Sequence, residues 1–457
     1  MIHANVPRRN FGPLAGGLLV ALGGATAALA VSALAGTKTG VVLALISIGG
    51  PIVFYLSVVA PLIFPFGLYV ALVPFDNLLS FSAFGTLTKV LGAAAGAALI
   101  FYLLRTKKAV SPSPSILIWF ALYTWAAVTA FWAYDQTLVF ATLLTSIQLV
   151  VLLTAISIFP ADHNSLRWVT LAIIVGSLAA AAYGAYLFHN GVNIYYGNRL
   201  RITTDTGAID PNHFAAAMLL PISLCLSTLL NTRKLLVGAG SVAALGLLFI
   251  GVAVSASRGA VMAIGFMVLY FLIRSRSRLR LIVISAITTL AAVAFSSQTD
   301  LWNRFGAALS TGGNGRMSIW RVGLEALKSH WLLGAGYGNF PNAFDSAFLQ
   351  TPNQIWAEAN WHRAPHDLLI GTSVELGVIG LVLLLAAWIS QFFILRDITP
   401  SQPEYPLRVA GEAAVLGIFV AALFLDVMTF KYIWLAFMFI ATLRNAYLRR
   451  TRGHSYA

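Results

Sequence analysis

Several arginines lie where the long apolar runs of the chain are interrupted. Arg199 and Arg201 fall in one polar stretch. Arg316 falls in a longer one, and Arg258 falls at a short turn between two apolar runs. A guanidinium group is planar and can donate two parallel hydrogen bonds to a phosphate. These arginines therefore predict a binding site for an anion that carries phosphate.

One histidine is placed where it could transfer a proton. His366 follows Pro365 and opens a long apolar run, so it is predicted to lie at a helix N-terminus. The positive end of the helix dipole lowers the pKa of a histidine there and favours the neutral ring that a general base requires. A histidine at this position can also serve only to cap the helix, and the residue pattern leaves both roles open.

Acidic residues are scattered rather than clustered. Asp300, Glu325, Asp345 and Glu358 lie far apart in the longest polar stretch, and no Asp-x-Asp pair occurs. A divalent metal that holds a diphosphate is therefore not expected, and no other cofactor is predicted. Cys225 is the only cysteine, which excludes an internal disulfide and a cysteine metal site.

Composition indicates the elements that must position these residues. The chain is 59% hydrophobic and only 10% charged, whereas globular domains carry about 25% charged residues. Only helices and closed barrels satisfy their backbone groups in a bilayer. The apolar runs are continuous and lack the alternation of barrel strands, so they predict an all-α, polytopic transmembrane bundle.

The apolar runs predict about fourteen spans, or twelve if the ambiguous run from 41 to 75 is counted differently. They lie near residues 14–35, 41–58, 61–75, 86–104, 115–133, 138–159, 166–188, 213–230, 234–254, 259–273, 280–296, 366–395, 409–428 and 431–447. We therefore expect N-terminal spans in 1–296, a large loop in 297–365 and C-terminal spans in 366–457, all in one membrane domain. The first run also loosely resembles a twin-arginine signal, which would leave the remaining topology unchanged.

Basic residues indicate how the bundle is oriented. The net charge of +14 resides largely in short gaps between apolar runs, as the positive-inside rule describes. The residues concerned are Arg8, Arg9, Arg105, Lys107, Lys108, Arg233, Lys234, Arg274, Arg276, Arg278, Arg280, Arg449, Arg450 and Arg452. Both termini are therefore expected in the cytoplasm, with the stretches near 189–212 and 297–365 on the outer side.

The polar stretch 297–365 contains a segment with the pattern of an amphipathic helix. From Arg316 to Trp331, one predicted face carries Trp320, Leu324, Leu327 and Trp331, and another carries Arg321, Glu325 and Lys328. Such a helix is expected to lie along the membrane interface with its tryptophans at headgroup level.

Two shorter motifs have simpler interpretations. The glycine-rich stretch from Gly334 to Phe340 follows no strand, so it does not fit a dinucleotide-binding loop and is predicted to be a flexible turn. Asp210-Pro211-Asn212 predicts a helix start with a capping side chain.

A set of motifs in this order resembles the O-antigen ligase and polysaccharide polymerase superfamily. They are Ser257-Arg258-Gly259, the segment from Arg316 to Trp320, the segment from Leu333 to Phe340, Pro365-His366-Asp367, and the segment from Glu375 to Leu381. The resemblance covers roughly residues 200 to 395, and the joint order is more specific than any one motif.

The resemblance implies a metal-independent, inverting GT-C glycosyltransferase of the bacterial inner membrane. Its donor would be a glycan on undecaprenyl diphosphate, bound at the periplasmic face. Arg258 and Arg316 match the family's essential arginines, with Arg199 or Arg201 expected to assist, and His366 matches its essential histidine. Family members usually have Asn after that histidine, whereas Asp367 follows here, and a neighbouring carboxylate raises a histidine pKa.

The sequence leaves the acceptor open. Lipid A core would make the protein a ligase, a lipid-linked repeat unit would make it a polymerase, and a polypeptide hydroxyl would make it an oligosaccharyltransferase. A lipid-linked oligosaccharide flippase is the alternative from another class. A transporter should show internal repeats, and paired charges or broken helices at mid-membrane depth. Asp426 and Lys431 are the only hint of such a pair.

Overall fold

Aspartates define the starts of several helices. The side chains of Asp135, Asp162, Asp210 and Asp367 each accept a hydrogen bond from a backbone N–H in the first turn of the helix that follows. These caps satisfy donors that a helix start otherwise leaves without partners. The helix start expected at Asp210 is thus confirmed, with Pro211 in the first turn.

The computed structural model describes residues 54–274, 306, 316–352 and 361–452, except for 77, 79, 82–84, 196–197, 205–206 and 427. Its principal helices are α1 (Phe66–Leu72), α2 (Leu87–Thr106), α3 (Ser115–Val128), α4 (Gln136–Ile158), α5 (His163–His189), α6 (Pro211–Ala217), α7 (Leu219–Asn231), α8 (Leu235–Ser255), α9 (Arg258–Arg274), α10 (Arg316–His330), α11 (Phe340–Phe348), α12 (Leu368–Ile394), α13 (Tyr405–Ala422) and α14 (Lys431–Arg452). Short 3-10 turns follow α1 at Val73–Phe75 and α3 at Thr129–Phe131.

The helices form the polytopic bundle that the composition predicts. Within the described residues, seven helical segments are long and apolar enough to cross a membrane, counting α6 and α7 as one. The predicted spans 14–35 and 280–296, and most of 41–58, lie outside the described residues. The fold class is therefore confirmed, and the remaining predicted spans correspond to helices within one or two turns.

The bundle has a continuous apolar interior with aromatic residues at its centre. The ring of Trp119 on α3 lies 4.9 Å from that of Trp434 and 5.2 Å from that of Phe437, both on α14. Such contacts between rings stabilise a core beyond the apolar area that they bury. They fix α14 as a central helix, packed along α4, α13 and α5.

One end of the bundle, here called the basic end, carries the connections near residues 107–113, 159–163, 232–234 and 396–404. The backbone N–H of Val110 donates to the carbonyl of Ile158 at 2.8 Å, which brings two of these connections together. Asn445 on α14 donates to the carbonyls of Ile156, Ser157 and Phe159 at 2.9 to 3.0 Å. This amide closes the end of α4, whose last carbonyls need partners.

The other end, here called the loop end, carries the described residues of 190–210, 331–352 and 361–367. Three short hairpins form there, pairing Ser80–Phe81 with Gly85–Thr86, Ile194–Tyr195 with Arg199–Leu200, and Thr203–Thr204 with Gly207–Ala208. The hairpins were not predicted, because each strand is only two residues long and gives no alternating pattern.

The glycine-rich stretch is held firmly against a break in α12. Gly377 has φ +68°, and its conformation interrupts the helix. The freed carbonyls of Val374 and Glu375 accept hydrogen bonds from the N–H groups of Ala335 and Gly336 at 2.8 and 3.0 Å. A Cβ at Gly377 would lie 2.1 Å from the carbonyl oxygen of Leu332. The stretch is therefore a tightly docked turn rather than the flexible one that was predicted.

The amphipathic helix is present as α10, and its contacts include only part of the predicted face. Its buried side chains belong to a small apolar cluster made of Ile319, Val322, Ala326, Ala335, Phe340, Ala343, Phe344, Ala347, Phe348 and Val374. Leu324 and Trp331 are instead exposed by 53% and 60%. Trp320 and Leu327 of the predicted face pack against this cluster, so α11 and α12 supply part of its packing surface. The placement of Leu324 and Trp331 at the membrane interface stays a prediction. Glu325 pairs with Lys328 at 2.6 Å.

Candidate active site at the loop end

His366 has an unusual backbone conformation. Its φ is +48°, in the left-handed region, and it stands immediately before Asp367, the N-cap of α12. A residue other than glycine adopts this conformation at a cost of about 1–3 kcal/mol, and such residues concentrate at functional sites. The conformation, together with its position beside α12, makes His366 a candidate for a chemical role.

The surroundings of His366 favour its neutral ring. Burial lowers the pKa of His366, the guanidinium groups of Arg316 and Arg363 lower it further, and the carboxylate of Asp210 opposes them. The direction agrees with the one expected from the helix dipole, although burial is the largest cause. Asp367 is engaged as the cap of α12, with its carboxylate accepting from the N–H of Ile370 at 2.7 Å. The carboxylate that raises the pKa is therefore that of Asp210.

Arg316 and the start of α9, which carries Arg258, both lie against Phe424, which belongs to a third segment. The guanidinium carbon of Arg316, the first residue of α10, lies 5.8 Å from the ring centroid of Phe424. A Cβ on Gly259 would lie 3.5 Å from the side chain of Phe424, so the start of α9 touches the same residue. Both arginines therefore stand at the first residue of a helix, where the dipole also favours anions.

The other two predicted arginines are placed differently. Arg199 is buried, and its guanidinium donates to the carbonyl of Ser255 at 2.9 Å and to the side-chain oxygen of Asn212 at 3.0 Å. It thereby fixes the end of α8, three residues before Arg258. Arg201 is exposed on the connection after the second hairpin, where its backbone N–H donates to Asn193.

A second histidine, which the sequence analysis did not single out, lies near His366. His213 on α6 interacts electrostatically with His366, and its Nδ1 lies 3.0 Å from the hydroxyl of Tyr432. Its ring stacks on Phe430 at a centroid distance of 3.7 Å. The signal was present in the sequence, because His213 follows the capping Asp210 by three residues and so lies in the same first turn.

A small cavity of about 30 Å³ lies beside this group and is lined by Asp210, His213 and Lys431, among others. Lys431 pairs with Asp76, with Nζ–O distances of 2.7 and 2.8 Å. The sequence suggested Asp426 as the partner of Lys431, but the residue that pairs with it is Asp76. This ion pair lies at the start of α14, at the loop end, rather than at mid-membrane depth.

Comparison with known protein families identifies the part of the chain that carries this site. Residues 243–385 match the family model for O-antigen ligase. The match includes Arg258, Arg316 and His366, and it confirms the resemblance predicted from the motifs. No curated protein sequence matches the chain. With the spans described above, the match indicates a multi-pass membrane protein of the glycan-transferring ligase and polymerase type.

Proposed function

We propose that the protein is an inverting glycosyltransferase that moves a glycan from undecaprenyl diphosphate to an acceptor sugar at the periplasmic face of the inner membrane. The observation that carries the proposal is the convergence of Arg258, Arg316 and His366, which are far apart in the chain, at one end of the bundle. Their side chains provide the groups that the reaction requires: cations for a diphosphate and a neutral base.

The arginines act on the leaving group. Arg258 and Arg316 bind the two phosphates, and their positive charge stabilises the negative charge that develops as the bond between the anomeric carbon and the phosphate oxygen breaks. Arg363, close enough to lower the pKa of His366, adds positive potential at the same place. Arg199 contributes by fixing the turn that carries Arg258.

His366 acts on the acceptor. Its neutral ring accepts the proton of a sugar hydroxyl, and the hydroxyl oxygen attacks the anomeric carbon from the face opposite the diphosphate. The new glycosidic bond forms while the bonding electrons of the old one leave with the diphosphate, which inverts the anomeric configuration. The protonated histidine then releases its proton to solvent.

The distribution of charge supports the proposed orientation. Arg105, Arg274 and Arg450 lie at the ends of α2, α9 and α14 that form the basic end. Basic residues are retained on the cytoplasmic side of bacterial membranes, so the loop end faces the periplasm.

A flippase fits these observations less well. The breaks after α6 and at Gly377 resemble the interrupted helices of transporters. At Gly377, however, the freed carbonyls bond to the docked glycine-rich turn rather than to an ion or substrate.

Purified protein in vesicles, supplied with a labelled glycan on undecaprenyl diphosphate and with a core or repeat-unit acceptor, tests the proposal. We expect inverting transfer that persists in EDTA, because arginines and not a divalent ion offset the phosphate charge. Loss of transfer on chelation, restored by magnesium or manganese, contradicts this assignment. In a deletion strain, free lipid-linked polymer indicates a ligase, and single repeat units indicate a polymerase.

A further inference from the structure

A groove runs along the outside of the bundle between α2 and α4, starting at the loop end. Its volume is about 330 Å³. Lys89 and Thr145 line its upper part, and Gly92, Gly96 and Ile100 line it farther from the loop end. Because a helix rises 1.5 Å per residue, the groove extends for about 16 Å from the level of Lys89. That length is about half of the hydrophobic thickness of a membrane.

The chemistry of the groove changes along its length. The Nζ of Lys89 donates to the hydroxyl of Thr145 at 3.5 Å, so a cation lies at the upper end. Farther down, Ile100, Ile147 and Val151 form exposed apolar rims. A cation at the membrane surface above an apolar channel suits an anionic lipid whose chain lies in the channel.

A buried hydroxyl in the wall of the groove also indicates a ligand. Tyr69 is 1% exposed, and its hydroxyl has no hydrogen-bond partner among the described residues. The ring lies against Gly92, where a Cβ would approach it to 3.2 Å. A buried hydroxyl is costly without a partner. An oxygen near the head of a lipid in the groove would accept this hydrogen bond.

The groove and the cavity beside the candidate active site share a lining residue. Lys431 lines both the groove and the cavity that holds Asp210 and His213. His213 in turn interacts with His366. A lipid whose head lies at Lys431 is therefore next to the cavity that holds Asp210 and His213.

We propose that this groove binds the isoprenoid chain of the lipid-linked donor, with Lys89 attracting its phosphate-bearing end. The proposal rests on the proposed function and adds the place where the donor's chain is recognised.

The test fills the groove without disturbing the helix packing. In Gly96→Leu, the new Cβ would lie 3.9 Å from Leu152, an ordinary contact, while the remaining side chain occupies the groove. Gly246→Leu is the matched control, since Gly246 on α8 has no atom within 4 Å of such a Cβ and lies outside the groove.

Donors with an undecaprenyl chain and with a single isoprene unit, which is too short to reach Gly96 from Lys89, are compared in the vesicle assay. We expect Gly96→Leu to raise KM for the long-chain donor about tenfold, with kcat and the short-chain KM unchanged, because burial of part of the chain is lost. Gly246→Leu should match the wild type. Identical chain-length dependence in all three proteins overturns the groove assignment while leaving the transferase intact.

A second measurement does not depend on activity. A photoreactive residue at Ala97, which lines the groove, is irradiated in vesicles of phosphatidylethanolamine and phosphatidylglycerol that contain labelled undecaprenyl diphosphate. Cross-linking to the polyprenyl lipid, reduced in Gly96→Leu, supports the proposal. Cross-linking to phospholipid alone overturns it, whether or not the protein transfers glycans.

Discussion

The two ends of the bundle use the same kinds of charged residues in different ways. At the basic end, Glu404 and Glu412 are each 1% exposed and each contact two basic side chains. At the loop end, the ring of His366 is influenced by two arginines that lower its pKa and one carboxylate that raises it. Charge at the basic end is neutralised between helices, whereas at the loop end positive potential surrounds an ionisable group.

This difference separates charges that stabilise the fold from charges that serve chemistry. A buried carboxylate between two helices joins them, and its loss affects folding. A concentration of positive charge around a neutral base repels that base's own protonation and attracts an external anion. Substitutions at the loop end should therefore alter activity in a folded protein, and substitutions at the basic end should alter stability while leaving turnover per folded molecule unchanged.

The largest effect is expected for His366→Ala. Removal of a general base lowers kcat by about 10³, while the arginines still bind the donor. Turnover in vesicles and binding of labelled donor measure the two quantities separately. An unchanged kcat would remove the base from the mechanism, and a loss of donor binding would reassign His366 to recognition of the diphosphate.

A smaller loss is expected for Arg316→Lys and Arg258→Lys, of about 10² in kcat/KM. Lysine keeps the charge but lacks the planar pair of donors that fits a phosphate. Arg321→Lys is the control, because Arg321 is an exposed arginine on the same helix as Arg316. Equal turnover by all three variants would show that charge alone is sufficient.

A substitution at the basic end is expected to lower stability and leave turnover per folded molecule unchanged. Glu412 on α13 accepts hydrogen bonds from Arg408 at 2.8 Å and from the Tyr270 hydroxyl at 2.6 Å, and it lies 3.8 Å from Arg274 on α9. Glu412→Gln keeps the shape but removes the charge, so we expect unfolding free energy to fall by about 2 kcal/mol. Thermal unfolding in detergent measures this loss. A drop in turnover per folded molecule, with stability unchanged, would contradict the division between the two ends.

The sequence predicted the parts of this arrangement that depend on local pattern. Apolar runs specified the helices, and the spacing of Asp210 and Pro211 specified one helix start, because these signals lie within a few residues. The motif order led to Arg258, Arg316 and His366 as candidates. It could not be predicted that Arg316 lies near His366 or that the starts of α9 and α10 both lie against Phe424, since these contacts depend on how distant segments pack.

The predictions made from the sequence were incomplete or wrong where tertiary contacts override the local pattern. The prediction for α10 named one apolar face, and a second face with Val322 and Ala326 packs against α11 and α12. Gly334 to Phe340 looked like a flexible turn because its partner is the backbone of α12, which carries no side-chain signal. Asp367 was expected to act on His366, but its carboxylate is used as a helix cap, and Asp210, distant in sequence, acts instead.

The smallest expected effect concerns pH. His366 has a pKa below its ordinary value of about 6.5, so the wild type should hold its kcat/KM at neutral pH and lose it only as the pH falls below about 6.5. Arg316, Arg363, Asp210 and His213 are the charged or titratable groups among the described residues that act on it. Arg363 and Asp210 can be changed without removing Arg316 or Arg258, the proposed ligands of the diphosphate.

Substitutions of Arg363 and Asp210 should move the acidic limb of the profile of kcat/KM against pH in opposite directions. Arg363→Gln removes a cation that disfavours the imidazolium, so the pKa rises and activity is lost at a higher pH. Asp210→Asn removes a carboxylate that favours the imidazolium, so the limb moves to lower pH, while Asn still caps α6. Profiles of kcat/KM from about pH 5 to about pH 8 measure these shifts. Shifts in the same direction, or a limb that neither variant moves, would mean that the group titrating in the profile is not His366.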